Sequence, residues 1–316
     1  MSMVTEPAID ASVVMPAYQS AATIARALRS IARQTLKPRE VIVVDDGSSD
    51  GTLDAARAVR AELAGIKLRL FRQDNLGAGA ARNRAIAAAR GEWLTFLDAD
   101  DEWLPDKLNR SFDVLKTSGC AMVAHDIIEI TAAGERRIDC RSRWLANPDD
   151  PLRTLYMRGY ISSSTVVVRR ATVLDVGGFN PGLRSAQDYD LWLSLLGRVG
   201  SSFILFGDAL LRYYLFEGGI TSRVDERHRC NLVVLRDHVA DLQRVPGPVF
   251  GPVMMRTAII ALEAFRGHRA RRSRAGMARS IVRLPADLAC SLAAIITARP
   301  PRPNFLAEFN PGEELS

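Results

Sequence analysis

The first 125 residues alternate between short apolar runs and amphipathic segments, and that rhythm constrains the fold more than any other feature. "SVVMPA" (12–17) is an apolar run ended by proline, and "TIARALRSIARQT" follows with Ile24, Leu28 and Ile31 at helical spacing. "EVIVVDDGSSDGT" is a β-branched strand running into a polar turn, where Asp50 is placed to cap the helix "GTLDAARAVRAEL". "KLRLFRQ" and "GAARNRAIAAAR" form the next pair, then "GEWLTFLDADD" and "LPDKLNRSFDVLK", with "CAMVAHDI" as a fifth strand. Repeated strand–helix units of this length imply an α/β fold, with a mostly parallel sheet covered by helices on both faces. In such sheets ligands bind beyond the carboxyl ends of the strands. The unusual polar residues lie at those ends: "PAY" after the first strand, "DDGSSDG" after the second and "DADD" after the fourth.

The stretch "WLTFLDADDEWLP" poses a physical problem. Asp98, Asp100 and Asp101 leave an apolar strand together, and like charges this close repel unless something positive sits among them. If the chain stays extended, Asp98 and Asp100 share one side and Asp101 faces the other. Two carboxylates aimed into one crevice suit a hard divalent cation, Mg²⁺ or Mn²⁺, held together with a diphosphate. The bland alternative is that Asp101 caps the following helix while Asp98 bonds to loop amides.

The second half is less regular. "ISSSTVVVRR" reads as a strand entering from a serine-rich turn, and "GGFNPGLRSAQDYDLWLSLLGRVG" as a turn followed by a helix. "SFILF" and "ALLRYYLF" read as two more strands, and from Thr221 the pattern is helical and Arg-rich.

Taken together, "SVVMPAYQ", "SIARQTLKPREVIVVDDGSSDGT", "NLGAGAARNRAIAAARGEWLTFLDADDEWLPDKL" and "GGFNPGLRSAQDYDLWLSLL" resemble, in order and spacing, the GT-A glycosyltransferases of family 2. The resemblance spans roughly residues 11–200 and implies a GT-A-type, Rossmann-like sheet flanked by helices, with a helical C-terminal extension. It implies a catalytic unit over 1–220 (a nucleotide-binding half, 1–125, and an acceptor-binding half, 126–220); residues 221–316, which these motifs do not reach, read from their own pattern as a separate helical, Arg-rich region. It also implies an inverting transfer from a nucleotide-diphosphate sugar, UDP-linked in the first instance, to a saccharide or lipid-linked acceptor.

The same resemblance assigns roles residue by residue. Pro16, Ala17 and Tyr18 match the turn bordering the base. Asp45 and Asp46 match the acidic pair at the second strand's end, with Asp46 the one expected at the uracil or ribose. Arg82 and Asn83 match the segment closing over the nucleotide. Asp98 and Asp100 match the DxD element, Asp100 being the expected direct metal ligand. Asp188 matches the general base, with Asp190 the competing carboxylate. Asp188 precedes an apolar stripe of Leu191, Trp192, Leu195 and Leu196, so it should face inward at a helix N-terminus; the alternative is an ordinary N-terminal Asp favoured by the helix dipole. Two departures stand out. Gln187 replaces the usual glutamate before Asp188, and Phe216 stands where many relatives carry a histidine, leaving Glu217, a water or nothing to assist at the diphosphate.

Charge and cysteines bound the remainder. Cys120, Cys140, Cys230 and Cys290 lack metal-ligand spacing and suit reduced thiols in a cytoplasm; no signal peptide is expected. "RGHRARRSR" (266–274) holds five arginines, followed by an apolar segment, 277–298, interrupted by Arg283, Pro285 and Asp287. After Pro285 only about thirteen residues remain before "RPPRP", short of the roughly 20 a membrane span needs. The expectation is an amphipathic helix peripheral to the inner membrane face, its arginines drawn to anionic head groups; a plain packing helix is the alternative, and nucleic acid is not an expected partner. His228, His238 and His268 read as surface positions, His125 as a core residue, and Trp144 as a loop residue able to touch an acceptor sugar.

"NLGAGAARN" is not a dinucleotide fingerprint, because its glycines follow the third strand rather than the first. A nucleotidyltransferase would carry a Gly-rich, lysine-bearing loop after the first strand, and "PAYQSAAT" has neither. The competing class is a non-catalytic module that keeps the fold for binding at a membrane surface.

Overall fold

The computed structural model describes residues 8–63, 65–159, 161–198, 202–215, 223–297 and 302–315. Phe216 and Glu217 lie outside them. The chain opens with β1 (Ala8–Ala17), α1 (Ile24–Ala32), β2 (Lys37–Asp45), α2 (Thr52–Ala58), β3 (Lys67–Arg72), α3 (Ala78–Ala88) and β4 (Trp93–Phe96). It continues through β5 (Glu102–Trp103), α4 (Lys107–Ser118), β6 (Met122–Thr131), β7 (Gly134–Ile138), α5 (Arg141–Leu145) and α6 (Pro151–Arg158). Then come β8 (Val167–Arg169), α7 (Arg170–Asp175), α8 (Gln187–Arg198) and β9 (Phe203–Tyr214), followed by α9 (Val224–Asp237), α10 (Val239–Arg244), α11 (Phe250–Ala270) and α12 (Arg274–Ile296).

Among the described residues nine strands form one sheet in the order β3-β2-β1-β4-β8-β6-β9-β5, with β7 added to β6. The first four positions are parallel; β8 then inserts antiparallel between β4 and β6, so the sheet is mixed although mostly parallel. β1 and β2 read as continuous apolar runs because both faces are covered. Val14, Ile42 and Val44 pack into one layer with Phe96 and Trp192, and Val13, Met15, Val41 and Val43 into the other with Ile24, Leu28 and Ile31.

The register decides where the polar ends emerge. Ala17 lies opposite Asp45, and Val14 opposite Phe96, so the segments following β1, β2 and β4 leave the sheet side by side. β1 has β2 on one side and β4 on the other, so the strand order reverses there, where open α/β sheets place their ligand crevice.

Four expectations change. "SFILF" and "ALLRYYLF" are one strand, β9; Gly207 and Asp208 fall in a register slip against β6 rather than in a turn. α12 runs unbroken through Pro285. Asp50 sits one position outside the cap of α2, accepting from the Thr52 N–H at 3.1 Å while Gly51, at φ +85°, makes the turn. Finally, His228, His238 and His268 are buried, because α9–α12 pack together and their polar groups pair across that seam: His228 with Asp287 at 2.9 Å, and His268 with Asp225 at 3.6 Å. His125 is a core residue, its Nδ1 at 2.8 Å from the Asp126 carbonyl, and burial with Lys107 nearby lowers its pKa to about 3.

After α12 the chain returns to the first half. Arg302 pairs with Asp190 in α8, the Arg84 Nε–H donates to the Pro311 carbonyl, and Leu315 forms an antiparallel bridge with Leu70 of β3. The cysteines are all free, Cys290 alone being exposed.

Candidate active site

The loop after β1 and the loop after β2 are bound to one another. The Gln19 amide donates to Ser48 Oγ at 2.9 Å, that of Ser20 to Thr52 Oγ1 at 2.8 Å, and that of Ala21 to Asp50 Oδ2 at 2.9 Å. Pro16 and Ala17 are buried at the strand end, while Tyr18 is 50% exposed beside them. Asp45 and Asp46 are both buried. Asp45 accepts from the Ser48 N–H, and Asp46 accepts from Gln73 Nε2 and from the Leu76 and Gly77 amides at 2.8–2.9 Å. Both oxygens of Asp46 therefore anchor the loop leading into α3.

From that loop α3 carries Arg82 and Asn83 inward. Asn83 is fully buried and clamps Phe179, its Nδ2 donating to the Phe179 carbonyl and its Oδ1 accepting from the Phe179 amide, each at 2.8 Å. It shapes the turn before α8 and spends its amide there. This turn needs glycine: a Cβ on Gly178, at φ +76°, would lie 2.7 Å from Asn83 Oδ1 and 2.6 Å from Leu306 Cγ. Arg82 is 5% exposed and donates from Nη2 to Asp98 Oδ1 at 2.5 Å.

The aspartates after β4 are not extended. The strand stops at Phe96, and the Asp101 N–H bonds the Asp98 carbonyl at 3.1 Å, closing a turn. Nor does Asp101 cap α4; it is buried and accepts from Ser164 Oγ at 2.7 Å. Ser164 also takes the Asp98 N–H, and its carbonyl takes Trp103 Nε1–H, so one serine ties this turn to the segment before β8. Arg26 of α1 holds the opposite side, donating to the Asp100 carbonyl at 2.5 Å while its guanidinium lies 3.7 Å over the Tyr214 ring. Burial and then the charge of Asp98 raise the Asp100 pKa to about 6; burial with both neighbours pushes Asp101 well above the usual carboxylate range. The repulsion legible in the sequence is thus present in the structure, and Arg82 and Arg26 offset it only in part.

Asp188 reaches the same place from α8. It is half-buried, accepting from the Tyr189 N–H at 2.8 Å and facing Ser163 Oγ at 3.3 Å. Burial raises its pKa; Arg82 pulls it down and Asp98 pushes it up, so Arg82 stands within the field of both carboxylates. Tyr213 of β9 confirms the convergence: burial raises its hydroxyl pKa, and Asp98, Asp100, Asp101 and Asp188 all add to the effect. Asp190 is 3% exposed and committed to Arg302 at 2.8 Å and His238 at 2.9 Å, which removes it as a rival base. Gln187 is buried against α3 near Gly79. Beside Asp188 opens a cavity of about 370 Å³, walled also by Tyr189 and Trp192 and by residues of α5, α6, α9 and α11. Trp144 is not part of it; the indole packs edge-on to Phe203, 6.1 Å between centroids.

Arg26, Ser164 and Tyr213 had escaped the reading of the sequence. A serine within "ISSST" or a first-helix arginine carries no local mark of such a contact, and Tyr213 was marked only as part of the strand "ALLRYYLF".

Among the described residues no three His, Cys, Asp or Glu side chains form a group able to hold a metal ion. A hard cation serving phosphates needs only one or two carboxylates, the other ligands being water and phosphate oxygen, and the crowded, oxygen-only pair Asp98 and Asp100 fits that demand.

The chain is 39% identical over 228 residues to the succinoglycan biosynthesis protein ExoO of Rhizobium meliloti, covering 67% of this chain and 62% of that protein. It is 29% identical to the amylovoran biosynthesis glycosyltransferase AmsB of Erwinia amylovora, over 66% of this chain and 70% of that one. An uncharacterised glycosyltransferase of Nostoc is 39% identical over 40% of this chain, a match spanning only 39% of its own length. Among solved structures, S. aureus TarS 1-349 in complex with UDP-GlcNAc superposes with TM-score 0.63 at 19% identity, covering 90% of this chain and 88% of that one. The mannosyltransferase PcManGT of Pyrobaculum calidifontis, in complex with GDP-Man and Mn²⁺, gives 0.60 at 21% identity, covering 93% and 82%. These likenesses establish a shared fold. The sequence profile described as Glycosyl transferase family 2 matches residues 12–173, half of the chain, from β1 through the serine turn that supports the aspartates; the chain belongs to that family.

Proposed function

We infer that the protein transfers a sugar, with inversion, from a nucleotide-diphosphate donor to a hydroxyl of a saccharide or lipid-linked acceptor, UDP being the first nucleotide to test. The observation that carries this reading is the position of Arg82, bonded to Asp98 and within the field of Asp188. It links an acidic turn, suited to a cation and diphosphate, to the carboxylate of Asp188, which opens on a cavity.

Each residue has a task in this reading. Pro16, Ala17 and Tyr18 border the base; Asp45 and Asp46 hold the loops around it. Asp98 and Asp100 would hold Mn²⁺ or Mg²⁺, which when bound stabilises charge on the leaving diphosphate. Arg82 restrains Asp98 and Asn83 fixes the turn that presents α8. Asp188 takes the acceptor hydroxyl's proton as the oxygen attacks the anomeric carbon from the face opposite the diphosphate. Its raised pKa makes it a better proton acceptor than an exposed aspartate.

The C-terminal region, 221–316, is assigned to acceptor delivery at a membrane surface on the cytoplasmic side. No helix of the described residues is long and apolar enough to cross a membrane. α12 instead exposes Ile281, Val282, Leu292 and Ile296, and α11 exposes Phe250, Met255 and Leu262, beside the arginines of 266–274. An apolar face edged by arginines suits an anionic bilayer.

The test is thermal stability with UDP, GDP, CDP and dTDP, each with and without Mn²⁺. A ligand of the folded state at a hundred times its Kd should add about 2.7 kcal/mol. Metal-dependent stabilisation by one nucleotide is expected; none by any nucleotide would favour a non-catalytic binding module.

A further inference from the structure

The cavity beside Asp188 is lined by arginines from four helices: Arg143 of α5, Arg158 of α6, Arg227 of α9 and Arg256 of α11. Its acids are Asp188 and Glu263, and Glu263 is engaged by Arg256 at 3.0 Å. Arg256 is 4% exposed, and its Nε–H has no hydrogen-bond partner among the described residues. Gly159, at φ +53°, closes α6 beside this guanidinium, where a Cβ would lie in ordinary contact with Arg256 Nη2 at 3.5 Å. Arg143, Arg158 and Arg227 make neither a side-chain hydrogen bond nor an ion pair among the described residues. Other arginines of α6 and α9 are paired: Arg153 with Asp150, and Arg236 with Asp287.

The four arginines lining this space outnumber its two carboxylates, an excess of positive charge that an oxyanion would offset. Arginine binds phosphate by paired N–H donors and remains charged at any working pH, so such a cluster is a phosphate site in chemical terms. A single carboxylate would occupy one guanidinium fork and leave the others unmet. We propose that this cavity binds the acceptor through a phosphate or diphosphate group, held by Arg143, Arg158, Arg227 and Arg256, so that a neighbouring sugar hydroxyl meets Asp188. The acceptor is accordingly a phosphorylated saccharide or a saccharide linked to a lipid through phosphate. This assignment rests on the reading of Asp188 as the acceptor-side base.

The test measures binding to the full chain with the donor site saturated by UDP and Mn²⁺, so that a second phosphate ligand reports this cavity. The probes are glucose 1-phosphate, farnesyl diphosphate and, as the carboxylate control, glucuronate. The wild type is compared with the Arg158→Ala, Arg227→Ala double variant, two positions open to the cavity; Arg256 is left in place because its loss strands Glu263. At least tenfold weaker binding of a phosphate probe to the double variant, with glucuronate bound more weakly than phosphate by the wild type, is the expected result. Preference for farnesyl diphosphate over glucose 1-phosphate identifies a lipid-linked source, and the reverse a soluble one. Equal binding of the phosphate probes to both proteins, or tighter binding of glucuronate, would overturn the proposal. UDP affinity is read separately: if UDP fails to bind, the donor assignment falls, whereas retained UDP binding with no arginine effect removes only the cavity assignment.

Discussion

Arg302 and Asp190, brought together from opposite ends of the second half of the chain, form a buried ion pair at 2.8 Å. His238 adds Nε2 at 2.9 Å to the same carboxylate and is itself held by Asp241 at 2.6 Å. One acidic side chain thus joins α8, α10 and the returning tail, two residues beyond Asp188. The two aspartates of "QDYDLW" have separable tasks, one facing the cavity and one fastening the helix that presents it.

That division can be measured. Asp188→Asn should keep its thermal stability and its response to UDP while turnover falls by ~10²–10⁴-fold, the usual worth of a general base. Normal turnover by this variant would remove Asp188 from the mechanism. Asp190→Asn should show the converse signature in a melting curve, losing about 3–5 kcal/mol because the buried Arg302 guanidinium loses its counter-charge.

Asp100→Asn is expected to act in two directions. Without ligand it should melt slightly higher, by about 1 kcal/mol once partial exposure is allowed for, because burial and Asp98 both oppose the Asp100 charge. With UDP and Mn²⁺ the metal-dependent part of the stabilisation should vanish. An unliganded variant less stable than the wild type would contradict the account of the acidic turn.

His238 predicts a pH dependence of known sign. Burial lowers its pKa, but the hydrogen bonds and charges of Asp190 and Asp241 outweigh burial and leave it raised above 6.5. A raised folded-state pKa contributes stability that is complete below the unfolded value and is lost as pH rises through the folded one. Urea unfolding of the wild type and His238→Gln at pH 6 and pH 9 should show their difference shrinking at the higher pH. A constant difference would mean that His238 is held neutral.

Gly178→Ala should destabilise by about 2 kcal/mol or more, since the added methyl meets Asn83 and Leu306 and the residue sits at φ +76°. Pairing it with Leu306→Ala relieves one of the two clashes. Partial recovery of the melting temperature in the double variant would show that the tail packs on this turn in solution.

The scaffold of the first half was legible because parallel strands buried on both faces are written as apolar runs, and their polar ends follow in register. The aspartate cluster was legible as a conflict of charges, but its turn was not: alternation of sides presumes an extended chain, and the strand ends at Phe96. The division of "SFILF" from "ALLRYYLF" failed because Gly207 and Asp208 resemble a turn locally, whereas pairing with β6 absorbs them. The three histidines of the C-terminal helices looked exposed because each has a partner far away in sequence: His228 finds Asp287 59 residues on, and His238 finds Asp190 48 residues back. Trp144 was misplaced for a related reason, its burial depending on Phe203 of a later strand. Periodicity reports which face of an element is apolar, and says little about a polar face that closes against another element.

The bridge from Leu315 to Leu70, with Glu314 on Arg69 at 2.8 Å, also has a temporal meaning. β3 lies at the end of the strand order, with unpaired backbone groups that would accept a strand from another molecule. Synthesis delivers β3 long before residues 302–315, at some 5–20 residues per second, so a nascent chain carries this open margin for roughly ten seconds or more before its own tail can dock. Crowded ribosomes translating this message would therefore be the place where one copy most readily captures another.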